Sequence, residues 1–372
     1  MKILIATGIF PPDIGGPALH TKKLAESFSK RGWDVRVVTY ASETEGYELP
    51  FRVWRVSRKL PRPIRVAIYF FYVLINTKGA DAVYAHDPTA VGLPASFAAT
   101  LLKKKFIIRI GGDVIWERAM ERRKEIISLS EYYKRGFYLR EYPRLFRIVR
   151  GVLGKARLII LPAELLKKLY IDFYGIDSEK IAVIPNPIPK IKKHSRKAEE
   201  NIILFAGRFV AYKNIPFLIE VFDKMRRRIG KGELHLIGDG PDKEKIKNRA
   251  ENLQSKDYIK FFPPVNHLDL LKKIETVAAG IGPALTEFNP NFILECLAAG
   301  KPVLISRENG LTIKLPEDFL FDAQNGSELE NKLIKIFNDK EREEMIKKIS
   351  GLRFNWSWND IIESHIKIIN KL

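Results

Sequence analysis

Two glutamates with seven residues between them, Glu287 and Glu295, stand in the run Pro283 to Leu304, PALTEFNPNFILECLAAGKPVL. A helix beginning near Asn291 puts Glu295 one turn inside it and leaves Glu287 on the loop before it. The free N–H groups and positive dipole end of such a helix suit a phosphate-bearing ligand. The acids on either side then suit hydroxyls. A sugar nucleotide, with hydroxyls on both sides of its diphosphate, meets both demands.

Further loops carry residues of the same chemistry. In LFAGRFVAYKN, Arg208 and Lys213 follow a strand end, where a planar guanidinium and a point-charge ammonium can clamp a diphosphate or stand solvated. The IGDGP run places Gly238 after another strand; in isolation an ordinary tight turn is its preferred reading. Near the N-terminus, TGIFPPDIGGP puts Gly15 and Gly16 before a helix, so the backbone can approach a ligand or simply turn. That run is not a G-x-G-x-x-G fingerprint, and Thr39-Tyr40 stand where a ribose-binding acid would end the second strand, which argues against a nicotinamide cofactor. No Asp-x-Asp motif and no His or Cys cluster has ligand spacing, so no metal site is expected.

The elements that must position these loops alternate. Strands are expected at Lys2 to Ala6, Asp34 to Thr39, Ala82 to Ala85, Phe106 to Ile110, Leu158 to Leu161 and Lys180 to Ile184, with helices such as Ala18 to Lys30, Leu93 to Leu102 and Ala163 to Phe173 between them. A proline-rich run, Pro185 to Pro189, and the basic stretch after it mark a boundary near 186. A second alternation follows, with strands at Asn201 to Ala206, Glu233 to Ile237, Tyr258 to Phe262, Val277 to Ile281 and Pro302 to Ile305, and a closing helix from Trp356 to Asn370. The expected fold is α/β, with two Rossmann-like domains, 1–186 and 187–355, both facing a cleft, and with 356–372 packing back on the first.

Composition agrees with two globular domains. The chain has 372 residues, beyond the roughly 250–300 that one core supports, and 46% are apolar. Its one cysteine, Cys296, reads as a small buried residue and excludes an internal disulfide framework, which fits a reducing compartment. The start, MKILIATGIFPP, reads as a first core strand and not as a signal peptide, and the longest apolar run, Val66 to Ile75, is too short to span a bilayer. The formal charge of +20 is uneven: residues 1–186 carry 32 Lys and Arg against 18 Asp and Glu, and residues 187–372 carry 32 against 26. Such an excess points to an anionic partner.

The order FPPDIGGP, HDPT, PNP, GRFVAYKN, IGDGP, E-x(7)-E and GKPV resembles that of the family-4 group of retaining glycosyltransferases with the GT-B fold. The resemblance runs from Met1 to the closing helix and is strongest from Ile202 to Ser306. It implies a metal-independent enzyme without a cofactor, whose donor is a UDP- or GDP-sugar. It implies that Arg208 and Lys213 hold the diphosphate and that N–H groups at Asn291 and Phe292 assist. Glu295 would contact the ribose, and Glu287 the transferred sugar. Gly15, Gly16 and Gly238 would line the donor side. On the acceptor side Asp113, His86, Arg109 and Asp87 are candidates; a capping role for Asp87 is an equal alternative. Two departures stand out. Phe288-Asn289-Pro290-Asn291 replaces the family's Gly-Phe-Gly run, and glycine replaces the usual histidine after the fourth expected strand.

In this family the N-terminal domain receives the acceptor, here a glycan or a lipid-linked molecule of cell-surface polysaccharide or glycolipid synthesis. The basic, aromatic-containing segments 52–65 and 115–150 are expected to meet an anionic membrane surface, placing the protein in the cytoplasm, peripheral to the inner face of the plasma membrane. Solvated helix faces and single-stranded nucleic acid are the other readings of those segments. Two alternatives remain for the whole chain: a sugar-nucleotide-binding protein without turnover, and a basic nucleic-acid-binding protein.

Overall fold

The computed structural model describes residues 1–13, 15–42, 48–123, 125–188, 201–353 and 356–372. The chain divides into two compact units: Met1–Ile115 with Gly136–Ile184 and Asn359–Leu372, and Trp116–Arg135 with Pro185–Trp358. The basic stretch after Pro189 that marked the expected boundary lies outside the described residues.

The first unit is built on a parallel sheet of β1 (Lys2–Thr7), β2 (Asp34–Ala41), β3 (Arg52–Ser57), β4 (Ala82–His86), β5 (Lys105–Arg109), β6 (Leu158–Leu161) and β7 (Ile181–Val183). Their order is β3-β2-β1-β4-β5-β6-β7. Every residue of β4 and β6 is buried, as expected for strands covered on both faces. Three helices, Arg62–Lys78, Gly92–Leu101 and Pro143–Lys155, pack side by side over this sheet. The closing helix, Trp358–Ile369, buries Ile361, Ile362, His365 and Ile369.

The second unit repeats the plan with β8 (Ile202–Ala206), β9 (Glu233–Ile237), β10 (Ile259–Phe262), β11 (Ala279–Gly282), β12 (Val303–Ser306) and β13 (Leu320–Phe321), ordered β10-β9-β8-β11-β12-β13. All pairings are parallel. In each sheet the order reverses once, between β1 and β4 and between β8 and β11. Loops at the carboxyl ends of those strands are where a doubly wound sheet binds ligands. Among the described residues no helix is long and apolar enough to cross a membrane.

Two strands escape the sequence reading. Arg52–Ser57, the start of a basic segment expected to meet a membrane surface, is edge strand β3, and only Val56 in it is buried, so no alternation reveals it. The two-residue β13 is too short to carry a pattern. A larger departure is that Trp116–Arg135, given to the N-terminal domain, belongs to the second unit.

Candidate functional site

After β8 the chain runs through Gly207 and Arg208 into a single 3-10 turn, Ala211–Lys213, which Asn214 ends with a φ of 55° before the next helix. Asn214 Nδ2 donates to the Ala323 carbonyl at 2.8 Å and fixes that turn. Lys213 is thereby aimed at Glu287, its Nζ donating to both carboxylate oxygens at 2.7 and 2.9 Å. The Glu287 main chain is pinned as well: its N–H donates to Glu308 O at 3.0 Å and its carbonyl accepts from Gly310 N at 2.8 Å. Glu287 is buried, while Arg208 is exposed and makes no ion pair among the described residues. A buried carboxylate with a bidentate ammonium beside an open guanidinium is a site of mixed charge at a switch-point strand end.

Four residues further on, the helix Asn291–Ala298 begins. Asn289 takes a φ of 75°, which asparagine tolerates better than most residues, and Asn186 Nδ2 donates to its carbonyl at 2.7 Å. The first helical bond, Leu294 N to Pro290 O, leaves the N–H groups of Asn291, Phe292 and Ile293 without a helical acceptor. Glu295 lies one turn in, buried, with Oε1 2.9 Å from His267 Nε2. His267, half exposed at the start of the helix His267–Thr276, escapes the sequence reading. A lone histidine 28 positions away gives no sequence signal of that pairing. Cys296 is fully buried, and a Cβ at Gly280 would lie 2.5 Å from its sulfur.

Gly238 has a definite task. With a φ of 152°, its missing Cβ would fall 1.9 Å from the Gly207 carbonyl oxygen, so the β9 loop can interlock with the Arg208 loop only through glycine. Phe209 N donates to Asp239 O at 2.9 Å and closes that contact. Gly238→Ala is expected to cost about 3 kcal/mol or more, since the obstacle is backbone and cannot swing away. A melting curve indistinguishable from wild type would contradict this.

Trp116 and Leu129 meet the two chain neighbours of Glu287. Trp116 is buried, its ring centroid 5.3 Å from that of Tyr212 and 6.0 Å from that of Phe288, and its Nε1 donates to Ile127 O at 2.9 Å. Leu129 N donates to Thr286 Oγ1 at 2.9 Å; Thr286 Oγ1 and Ser130 N both donate to Glu308 Oε1, at 2.7 and 3.0 Å. Both chain neighbours of Glu287 are thus held by residues more than 150 positions away. Burial pushes the Tyr212 phenol up, so it stays neutral.

In the first unit, Gly15 is the N-cap of the helix Gly16–Lys30, the first helix after β1, with no side-chain cap, so that N-terminus is open. Asp113 is fully buried and accepts from Tyr174 Oη at 3.3 Å. His86 is buried, with Nε2 3.2 Å from Thr21 Oγ1. Its ring lies 5.9 Å from that of His20, which is 5.8 Å from that of His365 on the closing helix. Buried Arg109 completes this cluster. Burial, with the Arg109 charge beside it, brings His86 down to about 3; burial brings His365 to about 3 and His20 well below its ordinary value. The lowered values keep the three histidines of this cluster neutral beside the Arg109 charge. Asp87, with a φ of 72°, accepts from Thr89 N at 2.7 Å and Val91 N at 3.4 Å, so it ties the loop before the helix Gly92–Leu101. Burial pushes its carboxyl up to about 6.

A model of the glycosyl transferases group 1 matches residues 188–351, and one of glycosyltransferase family 4 matches residues 14–190. The chain belongs to the family-4 glycosyltransferases. Among relatives of this glycosyltransferase is an uncharacterized glycosyltransferase of Methanocaldococcus jannaschii, 25% identical over 84% of this chain and 82% of its own. Another is the alpha-monoglucosyldiacylglycerol synthase of Streptococcus pneumoniae R6, 24% identical over 87% of this chain and 75% of its own. The solved structure of WaaG, a glycosyltransferase involved in lipopolysaccharide biosynthesis, superimposes with a TM-score of 0.72 at 16% identity over 99% of each chain. The fold is therefore GT-B. In this glycosyltransferase the departure at Pro290 falls on the N-cap itself. The proline removes one N–H there and leaves the three that follow.

Proposed function

We propose that the protein is a retaining glycosyltransferase that moves a sugar from a nucleoside diphosphate donor to a glycan or lipid-linked acceptor. The observation that carries this reading is the bidentate Lys213–Glu287 pair set at the β8 and β11 ends, just before the open N-terminus of the helix that carries Glu295. Arg208, Lys213 and the N–H groups of Asn291 and Phe292 hold the donor diphosphate. Glu295 accepts hydrogen bonds from ribose hydroxyls, and Glu287 contacts the transferred sugar. As the bond from the anomeric carbon to the phosphate oxygen breaks, these cations and dipoles stabilise the charge that develops on the leaving diphosphate. The acceptor hydroxyl forms the new bond on the same face, and its proton passes to the leaving phosphate oxygen. The reading needs no metal, since positive charge is supplied by the chain. The pneumococcal relative's name supports a lipid acceptor.

The test is ligand-induced stabilisation: UDP, GDP, ADP and their sugars are screened for a rise in melting temperature. One of them is expected to stabilise the wild-type chain. Its affinity is expected to fall about tenfold or more in Glu295→Ala, the usual worth of hydrogen bonds to a charged group. No response to any nucleotide would sink the reading.

A further inference from the structure

The three helices packed side by side over the first sheet present an outward face that the catalytic reading does not use. Among the described residues, eight of the fifteen exposed large apolar side chains lie on them: Ile64, Val66, Phe71 and Ile75 on the first, Leu93, Phe97 and Leu101 on the second, and Ile148 on the third. Their spacing is helical, at i, i+7 and i+11 for Ile64, Phe71 and Ile75 and at i, i+4 and i+8 for Leu93, Phe97 and Leu101. Phe71, Phe97 and Leu101 are 57, 55 and 59% exposed. The stripes are continuous: the Phe70 ring, on the first helix, meets Phe97 edge-on at 5.9 Å, and Lys155 Nζ of the third lies 6.0 Å from the Phe97 ring.

Charge says what covers this face. The three helices carry seven Lys and Arg (Arg62, Arg65, Lys78, Arg144, Arg147, Arg150 and Lys155) and no Asp or Glu. A second copy of the same face would bring like charges together as it buried the apolar stripe. Lipid phosphates meet the cations and acyl chains meet the stripe. We propose that this three-helix face seats on an anionic bilayer surface, with Phe71, Phe97 and Leu101 entering the boundary between headgroups and acyl chains. The seat differs from the one expected from the sequence: β3 takes no part, and Trp116–Arg135 belongs to the other unit. The inference does not depend on the roles of Glu287 and Glu295, so nucleotide binding and vesicle binding can fail separately.

The experiment is co-sedimentation of the full chain with phosphatidylcholine vesicles, with and without phosphatidylglycerol. Binding is expected with the anionic vesicles and is expected to weaken as salt rises. Arg62→Gln, Arg147→Gln and Lys155→Gln together are expected to reduce it on the order of a hundredfold, about fivefold for each cation. Phe71→Ser, Phe97→Ser and Leu101→Ser together are expected to reduce it about tenfold or more. Both variants are expected to keep the wild-type circular dichroism and a cooperative melting transition, which shows them folded; if the serine variant does not fold, the glutamine variant carries the test. Equal recovery with neutral and anionic vesicles, or undiminished binding by the glutamine variant, would overturn the proposal. So would a lipid-independent dimer that the serine substitutions dissolve, because a second copy would then occupy the face.

Discussion

Glu287→Gln will transfer sugar on the order of a hundred- to a thousandfold more slowly than the wild-type chain, the usual penalty for removing one electrostatic contributor at a reacting centre. Glutamine keeps the volume of the side chain and removes its charge, so the Trp116–Phe288 contact beside it is preserved while Lys213 loses its bidentate acceptor. Lys213 is part exposed and can turn to water, so the melting temperature should move by only a few degrees while the rate collapses. Combining Glu287→Gln with Lys213→Met should cost far less than the product of the two single losses, because the residues act as a pair. The measurement is the initial rate at saturating donor, with the nucleotide chosen from the stabilisation screen. A rate within threefold of wild type would remove Glu287 from the chemistry.

The second large effect concerns acid. His86 and His365 sit near 3 in the folded chain and near 6.5 when unfolded, and His20 is shifted in the same direction. Between those values the unfolded chain binds more protons, so stability is complete above about pH 6.5 and is lost as the pH falls toward 3. From 6.5 to 4 the loss is on the order of 3 kcal/mol for each of His86 and His365, against a total of roughly 5–15 kcal/mol for a typical domain. Asp87, raised to about 6, acts in the opposite sense and regains some stability over the same range. The net expectation is a steep fall in the first unit's melting temperature below pH 6. Arg109, Tyr84 and Thr21 are the other polar groups packed against these rings. His365→Leu removes one member with little change of volume and should flatten the slope. Parallel melting curves for the variant and wild type across pH 7 to 4 would contradict this account.

The residues that the sequence offered for a donor site are local. Glu287, Asn291 and Glu295 fall within one loop and one helix, and Arg208 and Lys213 within one loop, so each group is visible in the sequence and the order of motifs joins the two. The alternation of apolar strands with helices likewise gave eleven of the thirteen strands to within a residue or two. What escaped is tertiary. Trp116 is an ordinary aromatic in a basic segment until it meets Tyr212 and Phe288, and His267 an ordinary surface residue until it meets Glu295. Gly238 pointed to a ligand or a turn, and its cause is the carbonyl of a loop 31 residues earlier. The acceptor-side candidates lie at the ends of β4 and β5 and on the loops after them, where His86, Arg109 and Asp113 are buried and Asp87 is tied to Thr89 and Val91.

The chain passes between its two units after Ile115, Arg135, Ile184 and Trp358. No single cut therefore yields both halves whole. A fragment starting at Pro185 would lack Trp116 and the Leu129–Thr286 bond, leaving Tyr212 and Phe288 bare beside Glu287. The same holds for chimaeras. A second unit exchanged with a relative at residue 185 arrives without the twenty residues that finish it, so the early insert and the late half have to travel together.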